Sequence, residues 1–211
     1  MNAILPFFDA SAWIWWLVRA VADGPTDPSF PIDDEDAAWF ARVGKGDETA
    51  LQRLFDKWKL PLLSFFYRSL GSHADAEDLT LEVFTRLHRA AADYRPSAKF
   101  STYLFHIAQN LARNEHRRRR RKPAQPVPAE LFDQMESSGT GTAHRLSELE
   151  EVFQRAMERL PEKSRTALLL VVQQQMAYPE AATALGITEN ALRVLVHRAR
   201  QLLKIEMEAL S

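Results

Sequence analysis

Residues 100–122 read FSTYLFHIAQNLARNEHRRRRRK, a segment with helical periodicity that ends in six consecutive basic residues. Its apolar residues recur at steps of three and four, which predicts one buried face of a long helix. These residues are Leu104, Ile107, Ala108 and Leu111. Ser101 or Thr102 is expected to cap the helix at its start. The basic run complements the dipole at the helix end and forms a dense patch for phosphate groups.

Charge is distributed unevenly around this helix. The 211 residues carry 27 Lys and Arg against 28 Asp and Glu, for a net charge of −1. Residues 37–122 alone hold 17 basic and 9 acidic residues, whereas residues 1–36 hold one basic and seven acidic residues. A basic block between acidic flanks indicates a polyanionic partner for that block rather than for the whole surface.

The helical period continues on both sides of the basic segment, and no stretch shows the alternation of a strand. We therefore predict an all-α fold with two small helical domains, joined by a flexible linker and preceded by an N-terminal extension. The expected boundaries are 1–36 for the extension, 37–122 for the first domain, 123–146 for the linker and 147–211 for the second domain. Pro, Gly and Ser residues without periodicity mark the linker.

The extension contains a nine-residue apolar run, 10–18, with three tryptophans. Nine helical residues span about 13 Å, which is too short to cross a bilayer. A signal peptide has basic residues before its apolar region, but no Lys or Arg precedes this run. We expect a cytoplasmic protein without stable membrane insertion. The run either docks its tryptophans on the body of the protein or contacts a partner protein or a membrane surface.

The C-terminal region has the pattern of a helix-turn-helix. A short helix, 179–185, meets Gly186, which suits a left-handed turn, and Thr188 is expected to cap the longer helix that follows. The apolar stripe of that helix comprises Leu192, Leu195, Val196, Ala199, Leu202 and Leu203. The opposite face carries Asn190, Arg193, Val194, His197 and Arg200, residue types that include readers of base edges in a major groove. A plain helical hairpin with a solvated basic face would give the same pattern.

Several classes of chemistry find no support in the sequence. The absence of cysteine excludes disulfide scaffolds, thiolate zinc sites and a cysteine nucleophile, and no glycine-rich phosphate loop occurs. Asp75, Asp78 and Glu82 share a helical face, but no histidine lies in their register. A solvated or protein-docking face is the favoured interpretation of that cluster. We expect no catalytic residues, no metal and no cofactor.

Four segments in a fixed order resemble the extracytoplasmic-function (ECF) group of bacterial sigma-70 family RNA polymerase sigma factors. They are DAEDLTLEVFTRL (75–87), FSTYLFHIAQNLAR (100–113) with its basic tail, LPEKSR (160–165) and HRAR (197–200). The resemblance covers roughly residues 37–205. It implies a factor that binds core RNA polymerase and directs promoter recognition and melting, with no catalysis of its own.

The resemblance also implies roles for individual residues. The surface for the β′ clamp helices of core RNA polymerase would comprise Asp75, Asp78, Leu79, Glu82, Val83 and Phe84. The surface for the −10 element of promoter DNA would comprise Arg95, Ser97, Lys99, Phe100, Tyr103, Asn110, Arg113 and Arg117. The helix-turn-helix residues for the −35 element would be Asn190, Arg193, His197, Arg198 and Arg200. The second domain would contact the polymerase β flap, no small-molecule substrate is implied, and an anti-sigma factor is a further candidate partner.

Some positions depart from the family pattern. Leu81 stands where the family usually has Gln, Tyr103 stands where it has Trp, and AlaLeuArgValLeu at 191–195 replaces ThrValLysSerArg. The last change puts Val194 and Leu195 in place of polar or cationic groups, so we expect −35 recognition to differ. The residues leave three alternatives open: a helix-turn-helix regulator that does not dock polymerase, a helical carboxylate metalloenzyme, and a sigma-like inhibitor.

Overall fold

The structure is a computed structural model, and it describes residues 35–95, 98–121 and 141–210, with the side chains of 141–149, 207 and 210 excepted. Almost all of the predicted N-terminal extension and most of the predicted linker lie outside the described residues, as do Pro96 and Ser97.

The described chain forms two groups of helices. The first group contains α1 (Glu35–Val43), α2 (Glu48–Leu70), α3 (His73–Ala90), a 3₁₀ turn (Ala91–Asp93) and α4 (Phe100–Arg121). The second contains α5 (Gly141–Arg159), α6 (Glu162–Leu168), a π-helical turn (Leu169–Gln173), α7 (Tyr178–Leu185) and α8 (Glu189–Leu210). No strand occurs in these ranges, which confirms the all-α prediction.

Aromatic side chains fill the core of the first group. Phe40 of α1, Phe65 of α2 and Phe105 of α4 have no accessible surface. The rings of Trp58 and Phe105 meet edge to face with centroids 6.0 Å apart, and those of Phe65 and Phe105 with centroids 5.6 Å apart. Such geometry adds to the burial of large apolar side chains, so α4 is held firmly on α2.

Local signals in the sequence end and begin several helices. Gly71 closes α2 with a φ of +71°, and its N–H donates to Tyr67 O at 2.8 Å. Ser72 then caps α3 by accepting from Asp75 N at 3.3 Å. The turn between α7 and α8 repeats this arrangement, with Gly186 at a φ of +65° and Thr188 Oγ1 accepting from Ala191 N at 3.3 Å. The glycine turn and the Thr188 cap expected from the sequence are both present.

Helix α2 continues through Pro61, so tertiary packing outweighs the hydrogen bond that is lost and the steric clash that a proline causes inside a helix. Two local expectations differ from the structure. Helix α4 begins at Phe100, so Ser101 and Thr102 lie buried in its first turn and do not cap it. Helix α5 begins at Gly141, so the end of the predicted linker is helical, since extending an existing helix costs little.

The two helix groups contact each other directly. Arg165 of α6 donates a hydrogen bond to Ser69 O near the end of α2. After the π-helical turn, Gln174 Nε2 donates to Pro61 O at 3.3 Å, and His106 Nδ1 of α4 lies 3.0 Å from Ala184 O of α7. The second group therefore packs against α2 and against one face of α4.

Candidate functional site

Helix α3 presents an acidic and apolar outer face. Asp78 is exposed, and Glu82 Oε1 accepts from Arg86 Nε of the next turn at 2.7 Å. Between them Leu81 exposes 57% of its surface, although it is a large apolar side chain. Helix α3 therefore presents carboxylates and one large apolar side chain on its outer face.

The predicted polymerase-docking residues divide between this face and the core. Asp75, Leu79 and Glu82 are half-buried. Val83 has no accessible surface, so the structure assigns it to the core and not to a contact surface. Phe84 exposes only 7% of its surface, but its ring, 4.8 Å from that of Phe55, forms part of the floor of a groove between α2 and α3. The groove has a volume of 430 Å³ and is lined by Glu48, Leu51, Gln52, Phe55, Phe84 and His88.

Asp75 joins α3 to the basic end of α4. Its carboxylate accepts from Arg119, whose Nη1 also donates to Leu70 O at 2.6 Å. Glu115 accepts from Arg118 at 2.6 and 2.8 Å and from Arg119 at 3.0 Å. The hydrogen bonds from Arg118 are the main cause that holds the pKa of Glu115 below its usual value. Part of the basic run therefore serves the fold, while Arg117 remains exposed.

The middle of α4 carries a chain of polar contacts. Arg113 Nη2 donates to Asn110 Oδ1 at 2.6 Å, and Asn110 Nδ2 lies 3.1 Å from His106 Nε2. His106 Nδ1 lies 3.0 Å from Ala184 O, and since a carbonyl oxygen can only accept, Nδ1 is the donor of this hydrogen bond. His106 was not among the predicted site residues, although its spacing of four from Asn110 places both on one helical face.

Tyr103 lies one turn before His106, at the edge of a cavity. It is half-buried, with its ring 5.2 Å from that of Tyr94, and burial raises the pKa of its hydroxyl above the ordinary value. The cavity has a volume of 550 Å³ and is lined by Ala90, Asp93, Tyr94, Arg95, Ala98, Thr102, Tyr103, His106 and Thr183. Arg95 is exposed at its rim, so one aromatic face and one cation are available side by side.

Phe100 occupies a different place from the one predicted. It exposes 2% of its surface and packs against Phe40, with ring centroids 5.2 Å apart. The structure therefore places Phe100 in the core, almost out of contact with solvent. The reason is that α4 is covered by α1 and α2 on this side, which leaves Tyr103 as the more accessible aromatic of the pair.

Helix α7 covers part of the same face of α4. Lys99 Nζ pairs with Glu180 Oε1 at 2.5 Å, and Thr183 of α7 forms one wall of the cavity beside Tyr103. A second cavity of 250 Å³ lies between Arg113 and the turn at Gly186. Lys99, Asn110 and Arg113 are thus brought together with Tyr103 on one face, which the second helix group partly covers.

The outer face of α8 is open. Asn190, Arg193, His197 and Arg198 are exposed on it. Arg193 Nη2 is bound by Glu189 Oε1 at 2.5 Å, and its guanidinium lies 4.5 Å from the centre of the Tyr178 ring. Arg200 differs from the prediction, because its side chain is half-buried and its Nε is not accessible to solvent. Leu202 also differs, since it exposes 39% of its surface although it was expected in the apolar stripe.

Residues 35–95, 98–121 and 141–210 contain neither a metal-binding cluster nor a helix that could span a membrane. No group of three or more His, Asp or Glu side chains in these ranges is placed to hold a metal ion. Every helix of the described chain is too short or too polar to cross a bilayer.

Comparison with known proteins gives matches to both helix groups. The family model for sigma-70 region 2 matches residues 54–122, and that for sigma-70 region 4 matches residues 150–203. The ECF RNA polymerase sigma factor EcfG of Rhodopseudomonas palustris is 33% identical over 67% of this chain and 76% of its own length. The ECF RNA polymerase sigma factor SigW of Bacillus subtilis is 28% identical over 80% of this chain and 95% of its own length.

A solved structure shares the fold. The structure of CnrH in complex with the cytosolic domain of CnrY aligns with a TM-score of 0.63 at 23% identity, over 84% of this chain and 99% of that chain. The order of the helices, the two matched regions and the similarity to EcfG agree with the family resemblance of the four sequence motifs. The chain belongs to the ECF group of the sigma-70 family of RNA polymerase sigma factors.

Proposed function

We propose that this sigma factor divides its work among three surfaces. The outer face of α3 docks on the β′ clamp helices of core RNA polymerase, the Tyr103 face of α4 holds a separated strand of the −10 element, and the outer face of α8 reads the −35 duplex. Residues 37–122 and 147–211 would act as the two functional units. The second unit would also contact the β flap.

The exposure of α3 supports the docking role. Asp78 and Leu81 project from the same side of the helix, and Glu82 is fixed beside them by Arg86. Helix α3 is anchored from behind by the pairing of Asp75 with Arg119. A rigid helix with an exposed apolar side chain among carboxylates suits a partner that offers basic and apolar groups.

The composition of the α4 face supports strand capture and is the observation that carries the proposal. Tyr103 and Arg95 line the same cavity, Lys99 lies one turn before Tyr103, and Arg113 lies on the same side of α4 about three turns further along. Separating promoter strands costs a few kcal/mol per unstacked base step, and a base stacked on an aromatic side chain recovers about 1–3 kcal/mol. An aromatic ring and cations are therefore required at the same place.

The test of this division is a reconstitution with core RNA polymerase. The complete chain should form a holoenzyme and give run-off transcripts from promoters mapped by their transcript starts. Asp78→Lys should weaken core binding at least tenfold, because the new lysine would be buried in the interface against the basic groups expected of the polymerase. Glu151→Lys makes the same charge change at an exposed position of α5 and should leave core binding unchanged.

The two negative results have different consequences. A chain that fails to bind core polymerase contradicts the proposal as a whole. Equal core binding by Asp78→Lys and Glu151→Lys contradicts only the assignment of α3 as the docking helix.

A further inference from the structure

Val194 occupies the centre of the outer face of α8. At 100° per residue it lies roughly opposite the core residues Leu192, Val196 and Leu203. It exposes 48% of its surface, and no other large apolar side chain lies within one turn on that face. Its neighbours one turn away are the exposed residues Asn190, Ala191, His197 and Arg198.

The surroundings of Val194 favour a nucleic acid over a protein partner. Residues 190–204 carry four Arg and Lys residues and no Asp or Glu. A basic helix face of this kind matches the phosphates that border a major groove. Val194 is the apolar point within that basic face, and α7 does not cover it.

Val194 and Leu195, the two apolar residues that replace polar or cationic groups of the family pattern, have different surroundings in the structure. Leu195 is half-buried and lines the cavity beside Gly186 and Ile187, so it belongs to the packing between the helices. Val194 faces solvent and belongs to the reading surface. Arg193, which precedes it, donates to Glu189 of the same helix, and its guanidinium lies over the ring of Tyr178 of α7. The central position of the reading surface is therefore apolar in this chain.

Only one base presents an apolar group in the major groove. Thymine carries a C5-methyl group there, whereas the other base edges present hydrogen-bond donors and acceptors. Given the proposed function, on which this inference rests, we propose that Val194 is a specificity-determining residue that contacts the C5-methyl group of a thymine in the −35 duplex. Asn190, His197 and Arg198 would flank it and contact neighbouring base edges or phosphates.

The experiment removes single methyl groups from the DNA. Each thymine of the −35 region of a mapped promoter is replaced in turn by deoxyuridine, which lacks only the C5-methyl group, and holoenzyme affinity is measured by competition. One or two positions should lose about fourfold in affinity, as expected when one methyl group is no longer buried. Val194→Ala should lose a similar factor on the thymine duplex and should no longer distinguish uracil from thymine at those positions.

Ile205→Ala is the matched control. Ile205 exposes 59% of its surface about three turns further along α8, beyond the residues expected in the groove, so this variant should keep the discrimination of wild type. A −35 region without thymine, the absence of any uracil-sensitive position, or equal sensitivity in wild type and Val194→Ala overturns the inference. All three outcomes are compatible with run-off transcription, and in that case the proposed function stands. A chain without run-off activity overturns the proposed function and this inference together.

Discussion

Arg165 of α6 lies beside the C-terminal ends of two helices, α2 and α5. It exposes 7% of its surface, and its guanidinium donates to Ser69 O, to Glu158 O at 2.9 Å and to Leu160 O at 3.1 Å. These carbonyl oxygens are near helix C-termini, where the dipole favours a cation and intrahelical partners are missing. One side chain thereby satisfies acceptors from α2 and from the end of α5.

Replacing Arg165 should destabilise the protein strongly. Arg165→Met keeps much of the side-chain volume but leaves buried carbonyl oxygens without a donor, so the free energy of unfolding should fall by roughly 3 kcal/mol. Arg155→Met is the matched control, because Arg155 is exposed, with its Nε 3.3 Å from the Glu151 backbone oxygen and its Nη2 3.7 Å from the Glu151 carboxylate, and its loss should stay below about 0.5 kcal/mol. Urea denaturation followed by helical circular dichroism measures both, and equal losses would contradict the role given to Arg165.

His116 gives the junction a dependence on pH. Burial lowers its pKa below the usual 6.5, Glu162 opposes this shift, and Arg165, Arg119 and Arg120 reinforce it. Its Nε2 lies 3.3 Å from Ser69 Oγ. The unfolded chain therefore binds the proton more readily than the folded chain, so stability is complete above pH 6.5 and is lost as the pH falls through the lowered folded pKa.

The prediction follows from that sign. The free energy of unfolding of wild type should decrease between pH 7.5 and pH 5.5, and His116→Gln should flatten this slope. His88→Gln, at an exposed position of α3, should keep the wild-type slope. An unchanged slope in His116→Gln would show that other groups cause the acid sensitivity.

The helices themselves follow local rules, and their ends show how much could be predicted. Gly186 and Thr188 act within one turn of their own position, so the sequence identifies them correctly as a turn and a helix cap. The buried position of Phe100 could not be predicted in the same way. It depends on which face of α4 meets α1 and α2, and periodicity alone allows either Phe100 or Tyr103 to face inward.

The contact between α4 and α7 is also invisible in the sequence. Lys99 and Glu180 are 81 positions apart, and a single ion pair leaves no periodic signal.

The predicted docking residues are divided between the outer face of α3 and the core, and the motif alone does not show which residue lies where. Asp78, Leu79, Glu82 and Val83 are nearly contiguous in the motif, but the helical turn sends Val83 into the core.

Gly186 offers a test at the level of the helix-turn-helix. A Cβ atom there would meet no atom within 4 Å, so Gly186→Ala introduces only the strain of a φ of +65°. The free energy of unfolding should fall by about 1 kcal/mol, and Gly186→Asn should lose less because asparagine tolerates this region. Thermal or urea denaturation measures the difference, and a Gly186→Ala protein with the same free energy of unfolding as wild type would contradict the left-handed turn.

The whole molecule combines an open surface with a covered one. The outer face of α8 is exposed, whereas α7 lies over part of the face of α4 that we assign to the separated strand. A DNA strand on Tyr103 and Asn110 needs the space that α7 occupies beside them. Binding to core polymerase and promoter DNA should therefore separate the two helix groups.

Energy transfer between two dyes measures this separation. The chain has no cysteine, so Thr49→Cys in α2 and Gln201→Cys in α8, both exposed, give a unique labelling pair. Transfer efficiency should fall when core polymerase is added. In the free protein Glu180→Lys should lower it as well, because Lys99 then faces a like charge, whereas Glu151→Lys should not; constant efficiency in all cases would contradict the opening.

Permanganate reactivity of promoter thymines tests the central claim most directly, because only unpaired thymines react. With the wild-type holoenzyme, thymines of the −10 region should become reactive, while core polymerase alone leaves them protected. Tyr103→Ala should lower that reactivity about tenfold, as expected for the loss of one stacked base. A holoenzyme that binds the promoter stably yet leaves every thymine of the −10 region unreactive would contradict the account.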